Sequence, residues 1–271
     1  MKHKLRFLLA IGIGLMTSIG WLHAENDGYT KDGGNNYTVS TAEGLQNVLK
    51  ELNKASSEIT STITLDADLD ISSLKVMGGN GAKGDFQGMF FLDAPLNKNV
   101  TLTLDGGAGQ HKIYGSNTIQ GTAGSNKGEA IADYATKTYV FYVHNGSKTL
   151  TFKNLKIEDT NIVGFNFFGM TNIVFENVVV SNNEQGGIHL NSSNLTATKL
   201  STSGNGKFAV KLSRETANIP SIVLNDGCTF AETTVPQVGF YDRYAYKDKF
   251  GEQTPATPTE DEFKAMVSGT V

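Results

Sequence analysis

From Lys148 to Ser213 apolar and polar residues alternate in short runs, and the runs recur as a unit. Leu150, Phe152, Asn154, Leu155, Ile157, Gly164, Phe165 and Phe167 return 23 positions later as Ile173, Phe175, Asn177, Val178, Val180, Gly187, Ile188 and Leu190. A third unit follows at a shift of 22, where Leu195, Ala197, Lys199, Leu200, Val210 and Leu212 take equivalent places. The period of two within each run is that of strands rather than of helices. A repeat of this length built from short strands indicates a stacked array.

Three strands per unit, separated by Asn- and Gly-containing corners, make one coil of a parallel β-helix. Coils stacked about 4.8 Å apart set Leu150 on Ile173 and Phe152 on Phe175, burying a core that no single coil could bury alone. Asn154 and Asn177 stand where the chain must bend, and Asn tolerates a left-handed backbone better than most residues. The competing arrangement is an antiparallel sandwich of similar strands, which would have to produce eight matches at one shift by coincidence. The expected fold class is therefore all-β, a single-stranded parallel β-helix with an N-terminal capping α-helix, right-handed as in the parallel β-helix proteins it resembles.

The flanks give the remaining organisation. Residues 1–24 carry Lys2, Lys4 and Arg6 ahead of an apolar run from Phe7 to Ile19, the layout of a secretory signal peptide, with cleavage expected between Ala24 and Glu25. Residues 25–38 are polar and rich in Gly and Asn, and read as a flexible mature N-terminus. The β-helix is expected over 39–245. Its capping helix, 40–55, places Leu45, Val48, Leu49 and Leu52 on one face, with Ser40 and Glu43 as a capping box. Asp66, Asp68 and Asp70 are expected to alternate on one strand as a solvated face. The Gly-rich stretch 77–92 lacks the strand-loop-helix context of a phosphate cradle and reads as turns. Residues 116–137 form a polar insertion, and 246–271 a C-terminal tail or cap that includes a short helix near Thr259.

Charge and composition narrow the chemistry. Without residues 1–24 the chain keeps 20 basic against 27 acidic residues, a net charge of −7, which gives no support for nucleic acid or anionic membrane as partner. No second apolar run is long enough to span a bilayer. The single cysteine, Cys228, excludes an intrachain disulfide and reads as a small buried residue. Trp21, the one tryptophan, lies in the signal segment. Carboxylates do not recur at the 22–23 spacing that would stack them on neighbouring coils, so neither a metal nor another cofactor is expected.

The runs TFKNLKI, VFENVVV and GGIHL, behind a signal peptide and a capping helix, resemble bacterial right-handed β-helix surface proteins, including passenger domains of polymorphic outer-membrane proteins and autotransporter adhesins. The likeness covers about residues 39–242. Phe152-Lys153-Asn154 and Phe175-Glu176-Asn177 have one residue between Phe and Asn where that family has two, and Gly186-Gly187-Ile188 lacks the family's alanine. The fold is also similar to that of pectate lyases and other polysaccharide-cleaving enzymes. The first resemblance implies a secreted or cell-surface monomer that binds a glycan or a host-surface ligand without catalysis; the second implies a lyase or hydrolase acting on an acidic glycan. Alternation marks the surface for such a ligand. Asn166, His189 and Lys211 lie between inward-facing pairs on consecutive coils, with Arg214 just beyond and Tyr241 expected as the next rung. These five residues form the candidate ligand-binding ladder, expected to face solvent.

Overall fold

A computed structural model describes residues 28–78, 87–92, 99–117, 138–144, 146, 148–214, 218–242 and 260–269. The expected cleavage point, Ala24 and Glu25, and most of the 116–137 insertion lie outside them. The chain begins with β1 (Tyr29–Lys31), β2 (Tyr37–Val39) and helix α1 (Ala42–Leu52). The first coils hold β3 (Ile59–Leu65), β4 (Leu69–Asp70), β5 (Met77–Gly78), β6 (Gln87–Leu92), β7 (Val100–Asp105), β8 (Lys112–Gly115) and β9 (Thr138–His144). The central repeats are β10 (Leu150–Thr160), β11 (Val163–Phe168), β12 (Ile173–Ser181), β13 (Gly186–Asn191), β14 (Asn194–Ser203) and β15 (Val210–Arg214). The chain closes with β16 (Ser221–Leu224), β17 (Thr229–Phe230), β18 (Val238–Asp242), helix α2 (Glu260–Met266) and β19 (Val267–Gly269).

Every central pairing is parallel and follows the repeat residue for residue. Leu150 lies opposite Ile173 and Ile173 opposite Leu195; Phe152, Phe175 and Ala197 form the next row; Phe165, Ile188 and Val210 form a row in the other sheet. A parallel β-helix is the result, with α1 at its N-terminal end. Leu45 and Leu49 of that helix belong to the same buried cluster as Leu102, Leu104, Phe141 and Phe152. Phe175 is fully buried, its ring 5.4 Å from that of Phe152 and 5.0 Å from that of Phe165. Cys228 is buried as expected.

The long strands β10, β12 and β14 keep register with one another across the first corner, while β10 shifts register against β8 between Glu158 and Thr160. Asn154 (φ 48°), Asn177 (φ 57°) and Lys199 (φ 53°) stack at the first corner in the left-handed conformation. Asn177 Nδ2 donates to Asn154 Oδ1, and Asn154 Nδ2 to Asp105 Oδ1, so the corner amides bond from coil to coil. At a second corner Asp159, Asn182 and Gly204 repeat the arrangement. Each coil thus has three faces: the first stretch of the long strand, the stretch past its corner, and the short strand of the second sheet.

Three expectations need correction. Residues 29–38 are not a flexible tail: β1 and β2 form an antiparallel hairpin whose turn is held by the Asp32 carboxylate, which accepts from Gly34 N and Asn36 N, and β2 pairs with β3. The helix cap is Thr41, whose hydroxyl accepts from Gly44 N, while Ser40 Oγ donates to Gly28 O. Asp66, Asp68 and Asp70 do not share a strand, because the chain bends after Leu65 and only Asp70 lies in β4. In the C-terminal stretch helix α2 lies close to where a short helix is expected, and β19 after it pairs with β16 as a further rung, with Met266 buried.

Candidate functional site

The ladder residues come together in the expected register. Asn166 lies opposite His189 and His189 opposite Lys211. The rung above Asn166 is Tyr142, and Tyr142 lies opposite Phe91. Tyr241 is not the next rung: Val238 pairs with Val210 and packs partly against the core, which sets Gly239 opposite Lys211 and Tyr241 opposite Ser213. The register is fixed by the inward residue, and the outward ones follow.

The outer surface here is not solvated. Asn166 is 1 % exposed, His189 8 %, Asn191 2 % and Ser213 1 %; Lys211 and Arg214 alone among the ladder side chains described are half-buried. His189 Nε2 lies 2.7 Å from Ser213 Oγ. Burial, reinforced by the charge of Lys211, lowers the pKa of His189 to about 3, so the ring is neutral at physiological pH. A ring so reluctant to take a proton is a poor general base near neutrality, while it remains a good hydrogen-bonding group. Asn166 Oδ1 and Asn191 Oδ1 are buried without a hydrogen-bond donor, a costly state for an amide oxygen. Next to these polar rungs Tyr142, His144 and Phe168 form an aromatic series, with 6.1 Å between the first two rings and 5.1 Å between the last two.

A second assembly occupies the face past the first corner. His111 Nδ1 lies 3.0 Å from Asp68 Oδ1, and Asp68 also accepts from Lys112 N. That backbone bond, with help from His111, holds the Asp68 carboxyl below its ordinary pKa. Lys112 Nζ is 3.2 Å from Glu158 and sits over the Tyr114 ring, 4.7 Å from its centre. Asp70, Tyr114 and Glu158 share one row across β4, β8 and β10. The group does not show in the 22–23 residue period because its rungs are 44 residues apart, as in Asp70, Tyr114 and Glu158, about twice the central repeat. Among the described residues, no three His, Cys, Asp or Glu side chains come together in a way that could hold a metal ion.

Inside the coils a third polar series crosses the core. Thr160 Oγ1 donates to Asn183 Oδ1, Asn183 Nδ2 to Asn205 Oδ1, and Asn205 Nδ2 to Glu232 Oε1, while Thr202 Oγ1 donates to Glu232 Oε2. Every member is buried and each has a partner, which suits a structural role.

Compared with known proteins, residues 139–234 match the family described as right handed beta helix region. The handedness of the solenoid is thereby right, in the manner of the pectate-lyase-like folds. Neither the curated proteins nor the solved structures searched include a significant match. No helix among the described residues is long and apolar enough to cross a membrane.

Proposed function

We propose that this protein is an exported, non-catalytic binding module displayed at or released from a bacterial cell surface, acting as a monomer on an acidic glycan or a host-surface ligand. Export rests on the basic segment and apolar run ahead of Ala24 and Glu25. The binding reading rests on one observation above the others: Asn166, His189 and Lys211 occupy consecutive rungs. At the accessible end of that ladder, Lys211 and Arg214 are the groups that contact a carboxylate or sulfate. His189 is buried on the rung next to Lys211, its Nε2 2.7 Å from Ser213 Oγ, and Asn166 lies one rung further. Likeness to polymorphic outer-membrane and autotransporter passenger domains belongs to the same reading.

Calorimetric titration of the purified protein with acidic oligosaccharides tests it. A saturable heat that Lys211→Ala and Arg214→Ala each weaken at least tenfold supports the reading; absence of binding across sulfated and uronate-containing glycans overturns it.

The group around His111 favours a second reading, cleavage of an acidic glycan. An imidazole oriented through Nδ1 by a carboxylate presents Nε2 as a base, and Tyr114 and Lys112 stand in the neighbouring positions. Release of unsaturated or reducing ends from polyuronates, lost in His111→Ala, would place function on this face. No release at high enzyme concentration would leave the binding reading alone.

A further inference from the structure

The outer surface of the first sheet carries an array that neither of these sites uses. Thr60 and Thr62 on β3 lie opposite Thr101 and Thr103 on β7. Thr103 lies opposite Thr151 on β10, and Thr149 follows opposite Thr101, its carbonyl accepting from Leu102 N. Three successive strands thus present Thr-x-Thr in register. The same two columns continue as Asn172 and Val174, Asn194 and Thr196, then Ser221 and Val223. All twelve side chains are exposed or half-buried, and none is charged or aromatic. Ion pairs border the array on both sides, Lys153 with Asp105 on one and Lys148 with Glu58 on the other. The pairing through these six strands contains no register shift, so the surface is regular.

We propose that this surface binds ice. Its rows repeat about 4.8 Å apart across the strands and about 6.6 Å along them, over a length of about 24 Å. Those two spacings lie near the oxygen repeats of hexagonal ice along its a and c axes. A threonine supplies a hydroxyl that both donates and accepts, and a methyl group around which water orders. Val174, Thr196 and Val223 retain the methyl group where the series departs from Thr-x-Thr. Other occupants fit the chemistry less well. A sugar-binding surface needs aromatic platforms, an anionic polymer needs cations, and a stable protein interface needs large apolar anchors; the two columns contain none of these. Ice is uncharged, flat and periodic, and a rigid solenoid sheet can meet it at many weak points at once.

Partition of the purified protein into slowly growing ice tests the inference. The parent is expected to enter the ice fraction and to inhibit recrystallisation of a polycrystalline film. Thr62→Lys and Thr103→Lys are made in parallel, so that misfolding of one leaves the other readable, and each that melts like the parent should be at least tenfold depleted from ice. Ser201→Lys, on the face past the first corner, should behave as the parent. Exclusion of the parent from ice, or undiminished partition of both folded threonine variants, overturns the proposal. The ligand ladder lies on the other sheet, so neither result bears on the glycan reading.

Discussion

The outward surfaces of the two sheets obey the same alternation and end in opposite environments. On the first sheet Thr62, Thr103 and Thr151 stand between buried residues and meet solvent. On the second, Asn166, His189 and Asn191 also alternate with core residues and are nevertheless buried. Alternation therefore specifies which residues are inside the coil, and says nothing of what covers the outside. The difference is energetic as well as geometric: a polar group facing water costs nothing, whereas one buried on an outer face must find a partner or weaken the fold.

The largest expected effect sets the scale against which both surfaces are judged. Phe175→Asp places a carboxylate among Phe152, Phe165 and Phe167, and should cost more than about 4 kcal/mol. Loss of the cooperative thermal transition is the expected result. A variant melting within a few degrees of the parent would mean that the coil register is wrong.

Equivalent substitutions on the two surfaces sharpen the comparison directly. Asn166→Lys introduces a buried cation beside His189 and should destabilise by about 3 kcal/mol. Thr103→Lys, exposed and on a strand of the same kind, should change stability by less than about 0.5 kcal/mol. Denaturant melts of the two variants measure the contrast, and equal costs would abolish it.

The central repeats were legible because stacked coils need chemically similar residues at one shift. The same demand put Asn154 and Asn177 at left-handed corners. The internal series Thr160, Asn183 and Asn205 carries that signal as well, at shifts of 23 and 22, yet was overlooked because a period of two directs attention to apolar inward positions. Burial of the second sheet's outer face was not legible, since alternation distinguishes inward from outward and not covered from open. The hairpin at Tyr29–Val39 was hidden by its polar composition, although Asp32 followed by two glycines is turn chemistry. The pairing of Asp68 with His111 required the lengths of the first coils, which no sequence pattern states.

Within that internal series Asn205→Ala should cost about 2 kcal/mol, because it strips a buried donor from Glu232 and a buried acceptor from Asn183. Equilibrium denaturation measures it, and an unchanged midpoint would show that the series contributes nothing to stability.

Within a narrow pH window, acid separates the two surfaces by a smaller amount. His189 is depressed to about 3 in the folded protein, against about 6.5 in the unfolded chain. Below the unfolded value the unfolded state takes up a proton that the native state refuses. The His189 contribution is therefore complete above pH 7 and is lost as pH falls from about 6.5 toward 3, by at most about 1.4 kcal/mol per unit. Asp32, Asp68, Asp70 and Asp105, whose pKa values are lowered from 3.8, and Glu58, lowered from 4.5, begin to act about a unit above those values, so the window between pH 6.5 and about 5.5 isolates the histidine from them. His189→Gln should flatten the stability profile there, while Thr103→Val on the open surface should leave its slope as in the parent. A parent profile without slope in this window would mean that the ring accepts its proton in the folded state.

The smallest expected effect lies at the corner bounding the open sheet. Asn154, Asn177 and Lys199 stack there with φ between 48° and 57°, and a lysine pays more than an asparagine for that conformation because its side chain makes no compensating local bond. Asn177 already donates to Asn154 from the coil before. Lys199→Asn restores the residue type of the first two units and supplies an amide in line with theirs. It should stabilise the protein by about 0.5 kcal/mol, seen as a rise of a degree or two in Tm. Lys199→Val should lower Tm instead, because a β-branched side chain is poorly tolerated at positive φ. If Asn and Val shift the melt equally, the corner does not select for left-handed backbone, and the stacking of amides there is a consequence of the repeat rather than one of its causes.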